Sequence, residues 1–185
     1  VLTPHLSDLD AHHRDIHEVM RVGNYYISSD SGANSTNVLV AGQMYASPIV
    51  VARDITVDRI AIQVTLLAAG SSARLGIHND GVDLYPGSLL LDAGVVGTAA
   101  NGMASIVIDQ ALTKGLYWLT LIGDDTPTVR SYIPAEAVLG FEAGVNAFNN
   151  KSGYWQVAQA FGALPDPFTA GGSQKVGTTI AVGLR

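Results

Sequence analysis

A chain of 185 residues is long enough for one substantial core and suits a single domain with a small appendage. It has no cysteine, which excludes a disulfide framework and a thiolate metal site. Its net charge is −6 and Lys and Arg are nowhere clustered, so the electrostatic footprint of a nucleic-acid binder or of a polybasic membrane anchor is missing.

No apolar run reaches the length of a membrane span and no signal peptide is visible, so membrane insertion is not expected. Hydrophobic residues make up 48% of the chain and charged residues 14%, a low charge density for a free-standing monomer. Part of the surface is therefore expected to be covered by other subunits. The chain begins at Val1 rather than Met, which points to a fragment of something longer or a processed product.

Thr3-Pro4 reads as a helix cap followed by proline at the first helical position, and Ser7 with Asp10 offers a second start. Leu6, Leu9, His13, Ile16 and Met20 then recur at spacings of 3, 4, 3 and 4, and Gly23 stands where a helix should stop. Residues 1–22 are thus expected to form a short N-terminal α-helix, coiled-coil-like, whose seam trimerises the chain. The plainer reading is an amphipathic helix packed on its own domain. A helix of about two heptads is marginal alone and needs one support or the other. His13 and His17 lie one helical turn apart, a metal-binding spacing, but Arg14 stands where a metalloprotease motif requires Glu. Polar residues at such seam positions set register and oligomer state without binding anything.

From Tyr25 the hydrophobic period changes to two. Strands are expected over 25–28, 38–46, 49–51 and 55–67, with a polar loop over 29–37. In the last of these strands Ile60, Ile62, Val64 and Leu66 alternate with Ala61, Gln63 and Thr65. The richest stretch follows. Arg74 to His78 alternates as a strand, Asn79-Asp80-Gly81 signals a turn, and Tyr85-Pro86-Gly87 suits a type II turn. Strands are then expected over 89–94, 105–109 and 116–121, the last apolar on both faces and read as central, with Trp118 in the core. Weaker candidates follow over 129–132 and 137–141. The segment 144–153 reads as loop and 154–157 as an edge strand. Two prolines keep 164–167 out of any ladder, and 178–184 closes the chain with Ile180, Val182 and Leu184 on one face. Evenly spaced strands without long helices predict an all-β fold: residues 23–185 as an antiparallel jelly-roll β-sandwich.

The words RLGIHNDGVDLYPGSLLLDAG and LTKGLYWLTL, at 74–94 and 112–121, resemble a phrase that recurs in β-sandwich head domains of bacteriophage tail and fibre proteins. The likeness extends more loosely from Tyr25 to the C-terminus, and HLSDLDAHHRDIH resembles segments that precede globular heads in phage fibres. His78 stands where the phrase usually has Tyr. The resemblance implies a receptor-binding head behind a trimerising stalk helix, located on the virion surface beside other fibre or tail proteins. It carries turns and core strands rather than a catalytic signature.

Oxygen donors at Asn79, Asp80, Asp83 and Asp92 are the type calcium prefers, but they lack EF-hand spacing, and turn formation accounts for them. Asp124, Asp125, Glu136 and Glu142 offer carboxylates of the kind glycoside hydrolysis uses, with nothing to fix their separation. A nucleophile elbow and a phosphate-cradling glycine loop are both missing, so no catalysis and no cofactor is expected. Phe148, Asn149, Asn150, Lys151, Tyr154, Trp155 and Gln156 mix aromatic faces with amide and cationic donors, the mixture that binds sugars. The same aromatics would serve equally in packing or a subunit interface.

Three expectations of different class result: a non-catalytic virion module that binds a host-surface glycan; a structural connector or decoration domain that binds other virion proteins; and, more weakly, a glycan-degrading enzyme. The seam and the low charge density predict a homotrimer. Light scattering on the intact chain should give about three times the 19.3 kDa of one copy, and a particle of 19.3 kDa would contradict it.

Overall fold

Alternation of apolar and polar residues resolves into strands wherever the computed structural model describes the chain, namely residues 20–27, 32–133, 139–140 and 152–185. Two antiparallel sheets result, with no helix among the described residues. The expected seam at Leu6, Leu9, His13 and Ile16 lies outside them, as do Phe148, Asn149, Asn150 and Lys151. Met20 is described: it packs against the interior apolar cluster, and Gly23 turns the chain behind it at φ 88°.

One sheet has six strands. Its centre is β8 (Gly115–Gly123), flanked by β3 (Gln43–Val51) and β5 (Ser72–Asp80). Beyond β5 lies β6 (Pro86–Gly97), and beyond β3 lie β10 (Ser152–Ala158) and β11 (Ser173–Val176). The other sheet is built on β4 (Ile55–Leu66), which pairs along one side with β7 (Gly102–Leu112). Its other side is shared by β13 (Val182–Leu184), at Ile60 to Ile62, and by β9 (Thr128–Tyr132), at Val64 and Leu66. β2 (Asn34–Val38) and β12 (Thr179–Ile180) pair with β9, and β1 (Tyr26–Ile27) pairs with β13.

The inward faces meet in one apolar cluster that includes Ile60, Ile62, Leu75, Ile77, Leu119, Leu121, Ile180, Val182 and Leu184, each at most 1% exposed. The strand over 116–121 is central, as its two-sided hydrophobicity predicts, and Trp118 is fully buried. Trp118 does not face the partner sheet, however. It joins Met44, Ala46, Ile122 and Val157 in a second cluster on the outer face, covered by Leu139, Leu164 and Phe168. The proline segment is thus more than a break in the ladder: it lies as a strap across the six-stranded sheet. Leu139 is buried in a turn, so no strand runs through 139–140.

Several expectations change. Residues 34–38 form β2, not a loop, because pairing with β9 satisfies their backbone, while Asn37 donates to the hydroxyls of Tyr154 and Thr178. β3 runs unbroken through Pro48, which lies past the last β3–β10 pair, Ala46 with Trp155, a place where a strand tolerates proline. β10 is no edge strand: Trp155 pairs with Ala46 on one side and Gln174 on the other. Asn79 and Asp80 end β5 instead of turning. The positive φ of the hairpin falls on Asp83 (56°) and Leu84 (54°), not on Gly87. Gly81 and Gly87 are needed for proximity, since a Cβ on Gly81 would lie 2.6 Å from the Tyr85 carbonyl oxygen and 3.1 Å from the Gly87 Cα.

The tightest such approach is at Gly76, where a Cβ would lie 2.2 Å from Leu164 Cδ1 and 2.5 Å from the Leu91 carbonyl oxygen. Gly76→Ala should therefore lift the strap and destabilise the domain by about 1–3 kcal/mol, the cost of overpacking a filled site. Urea denaturation checks this, and an unchanged midpoint would mean that the strap does not rest on β5.

Candidate functional site

Strand alternation sends Arg74, Gly76, His78 and Asp80 outward from β5, under the strap. Arg74 makes an ion pair with Asp92 Oδ2 of β6 at 2.7 Å, and the same oxygen accepts the backbone N–H of Leu164 at 3.2 Å. Leu164 covers Gly76. Next along, His78 Nε2 lies 3.0 Å from the Pro165 carbonyl oxygen, and Asp166 accepts the N–H of Leu89. The N–H of Phe168 donates to the Gly87 carbonyl. Asp80 accepts the indole N–H of Trp118 at 2.9 Å.

A chain of edge-to-face aromatic contacts leads from this lock to the surface. His78 meets Phe168 with ring centres 5.4 Å apart, Phe168 meets Tyr85 at 5.6 Å, and Tyr85 meets Trp155 at 4.8 Å. The Tyr85 hydroxyl donates to the Thr169 carbonyl and accepts from the Gly172 N–H. Trp155 Nε1 donates to the Leu84 carbonyl at 2.7 Å, so the half-buried indole is fixed at both ends. Around it the hairpin tip exposes Val82 (80%) and Leu84 (42%).

The three described members of the expected sugar-binding set do not share a surface. Tyr154 faces the interior, 6% exposed, with its ring 5.9 Å from Tyr45; burial pushes its phenol pKa up, with the hydrogen bond from Asn37 opposing. Gln156 turns the same way and donates to Gln43. Trp155 alone faces outward. Its neighbours Tyr85, Leu84 and Phe168 were missed from the sequence. The available signal was the strap itself: a proline pair bracketed by Leu164 and Phe168 has apolar anchors at both ends.

The oxygen donors have separate partners. Asn79 donates to Ser88, Asp80 binds Trp118, Asp92 binds Arg74, and Asp83 stands exposed in the hairpin tip. No cluster of three metal-ligating side chains occurs among the described residues. Asp124 and Asp125 cap backbone N–H groups of Ser72 and Thr126, and Glu136 and Glu142 lie outside the described residues.

His78 is the buried titratable group of the lock, 0% exposed. The Pro165 carbonyl only accepts, so Nε2 carries the proton, and the buried Nδ1 has no partner among the described residues. Protonation would leave an unsatisfied buried N–H. Burial accordingly holds the pKa below its usual 6.5, against the Pro165 hydrogen bond and the nearby Asp166 and Asp92 carboxylates, which pull it up. A depressed histidine pKa means that the unfolded chain binds the extra proton first. The His78 contribution is whole above an unfolded pKa of about 6.5 and is lost as pH falls below it toward the folded value. In urea denaturation the stability gap between the natural chain and His78→Gln should be widest at pH 7.5 and narrow at pH 5.5. A gap independent of pH would show that the imidazole is not buried neutral.

The chain matches no protein-family model, no curated protein and no solved structure, so any function has to be argued from these residues.

Proposed function

We propose that the chain is a non-catalytic adsorption module of a bacteriophage tail fibre or spike, a jelly-roll head that binds a host-surface glycan. In this reading it assembles as a homotrimer through an N-terminal helix that ends before Met20, sits on the virion surface and adjoins other fibre or tail proteins. Met20 itself packs on the domain's own core instead of the expected seam. The observation that carries it is the fixed, half-buried, outward-facing indole of Trp155. Its N–H is already committed to the Leu84 carbonyl, so what it offers outward is an apolar ring of set orientation. Such a ring stacks on the C–H face of a sugar at low entropic cost. The RLGIHND and LYWL words, the all-β architecture and the low charge density support the virion setting.

A second reading, a connector or decoration domain, draws support from apolar side chains exposed away from Trp155, notably Val107 (69%), Leu66 (63%) and Met103 (57%).

Glycan-array binding of the whole chain separates the two readings. Retention of host-surface glycans is expected, and Trp155→Ala should weaken it by about 1–3 kcal/mol, as loss of a good aromatic contact does. Thermal melting of the variant, run alongside, should still show a cooperative transition, because the interior cluster does not include Trp155. An array that retains nothing, or equal retention by a folded Trp155→Ala variant, would remove the glycan reading.

A further inference from the structure

The outer face of the seven-stranded sheet holds a hollow of ≈ 220 Å³ where β9 and β4 separate around the C-terminal strands. Its floor is made of small residues: Ala61 of β4, Ala181 between β12 and β13, and Gly183. Tyr25 and Tyr132 stand on its sides. Gly183 keeps the floor low, since a Cβ there would lie 3.4 Å from Ile27 Cγ2 and 3.6 Å from Tyr25 Cδ1. The Tyr25 ring is steadied by Arg185, whose guanidinium carbon lies 5.8 Å from the ring centre and whose two nitrogens grip Asp58 at 3.0 Å.

The remaining member is Arg130. It is half-buried, and its Nε donates to the Gln63 amide oxygen at 3.2 Å and its Nη1 to the Ser35 carbonyl at 3.4 Å. Both acceptors are neutral. Arg74 and Arg185 each have a carboxylate, whereas Arg130 has none within ion-pair distance among the described residues. Two neutral anchors fix the plane of the guanidinium, and its charge is left for an anion to meet.

We infer that this hollow binds a single sugar ring bearing a carboxylate. The ring's C–H faces lie against Tyr25 and Tyr132 over the alanine and glycine floor, and its carboxylate meets the Arg130 fork beside the Gln63 amide. The volume is below the roughly 300–1,000 Å³ of sites for drug-sized ligands, which suits one ring and not a chain of them. The inference narrows the proposed glycan reading to acidic saccharides, but it uses the sheet opposite Trp155 and fails or stands separately.

The test is a backbone-amide NMR titration of the whole chain with glucuronate, with glucose and acetate as controls. Glucuronate should shift the amides of Ala61, Ala181 and Gly183 saturably, and glucose and acetate should bind at least about tenfold more weakly, the scale of a lost charge-assisted bond. Arg130→Gln should weaken glucuronate by a similar factor. Ala61→Leu, which fills the hollow and leaves Arg130 in place, should abolish binding and decides the matter if Arg130→Gln does not fold. Equal binding of glucose or acetate, or undiminished binding by a folded variant, overturns the inference. Shifts confined to the Trp155 indole N–H overturn it too, while leaving the Trp155 site standing. Shifts confined to the hollow support it.

Discussion

Leu164 occupies the space where residue 76 has no side chain, and the outer half of the six-stranded sheet depends on that fit. Without the strap, Met44, Trp118 and Ile122 would face water from the middle of the sheet. Each such side chain is worth about 1.5–3 kcal/mol when fully buried, so the strap gives the sheet a second apolar layer comparable with a small core. The strap cannot form a ladder, and it is held instead by scattered side-chain and backbone hydrogen bonds to the sheet beneath. Asp92 takes the Leu164 N–H, His78 the Pro165 carbonyl, and the Leu89 N–H takes Asp166.

The surface around Trp155 inherits its rigidity from that lock. Phe168, at the end of the strap, is edge-on to both His78 and Tyr85, and Tyr85 is edge-on to Trp155. The hairpin tip is held in the same way. Asp83 and Leu84 both have positive φ, a conformation that costs a non-glycine residue on the order of 1–3 kcal/mol where it is not otherwise stabilised. The Trp155 N–H bonded to the Leu84 carbonyl is one visible restraint on that conformation. Strain, exposed apolar side chains and a fixed indole thus coincide at one corner of the sandwich.

The inner core was legible because its signal is local. Ile60 and Ile62 alternate, Leu119 and Leu121 alternate, and Ile180, Val182 and Leu184 do the same, so period places them. It fails at Leu66, which the irregularity after Val64 leaves 63% exposed, and at Ala61, buried on the opposite face. What was not legible depends on partners distant in sequence. β2 is polar and becomes a strand only because β9 lies beside it. Trp118 is apolar in a way that marks burial, but not which face is covered, and the cover comes from Leu139, Leu164 and Phe168, all more than twenty positions away. The three described members of the sugar-binding set part for a simpler reason. Tyr154, Trp155 and Gln156 could converge in a loop, but neighbours in a strand point to opposite faces.

The word RLGIHND can be read residue by residue in this light. Arg74 holds Asp92, Leu75 and Ile77 enter the core, Gly76 admits Leu164, His78 holds Pro165, Asn79 reaches Ser88, and Asp80 takes the Trp118 N–H. Every outward residue of the word is engaged with the strap or with what lies under it. A word so committed specifies how the sheet is closed, while the hairpin tip from Val82 to Leu84 stays exposed. Beyond it the sandwich presents two features of opposite character. Trp155 is an apolar ring fixed by the strap, and Arg130 is a charge held between neutral acceptors on the other sheet. Trp155 takes its orientation from the lock through Phe168 and Tyr85, whereas Arg130 is held by Gln63 and Ser35 alone, so the two surfaces are positioned independently of each other.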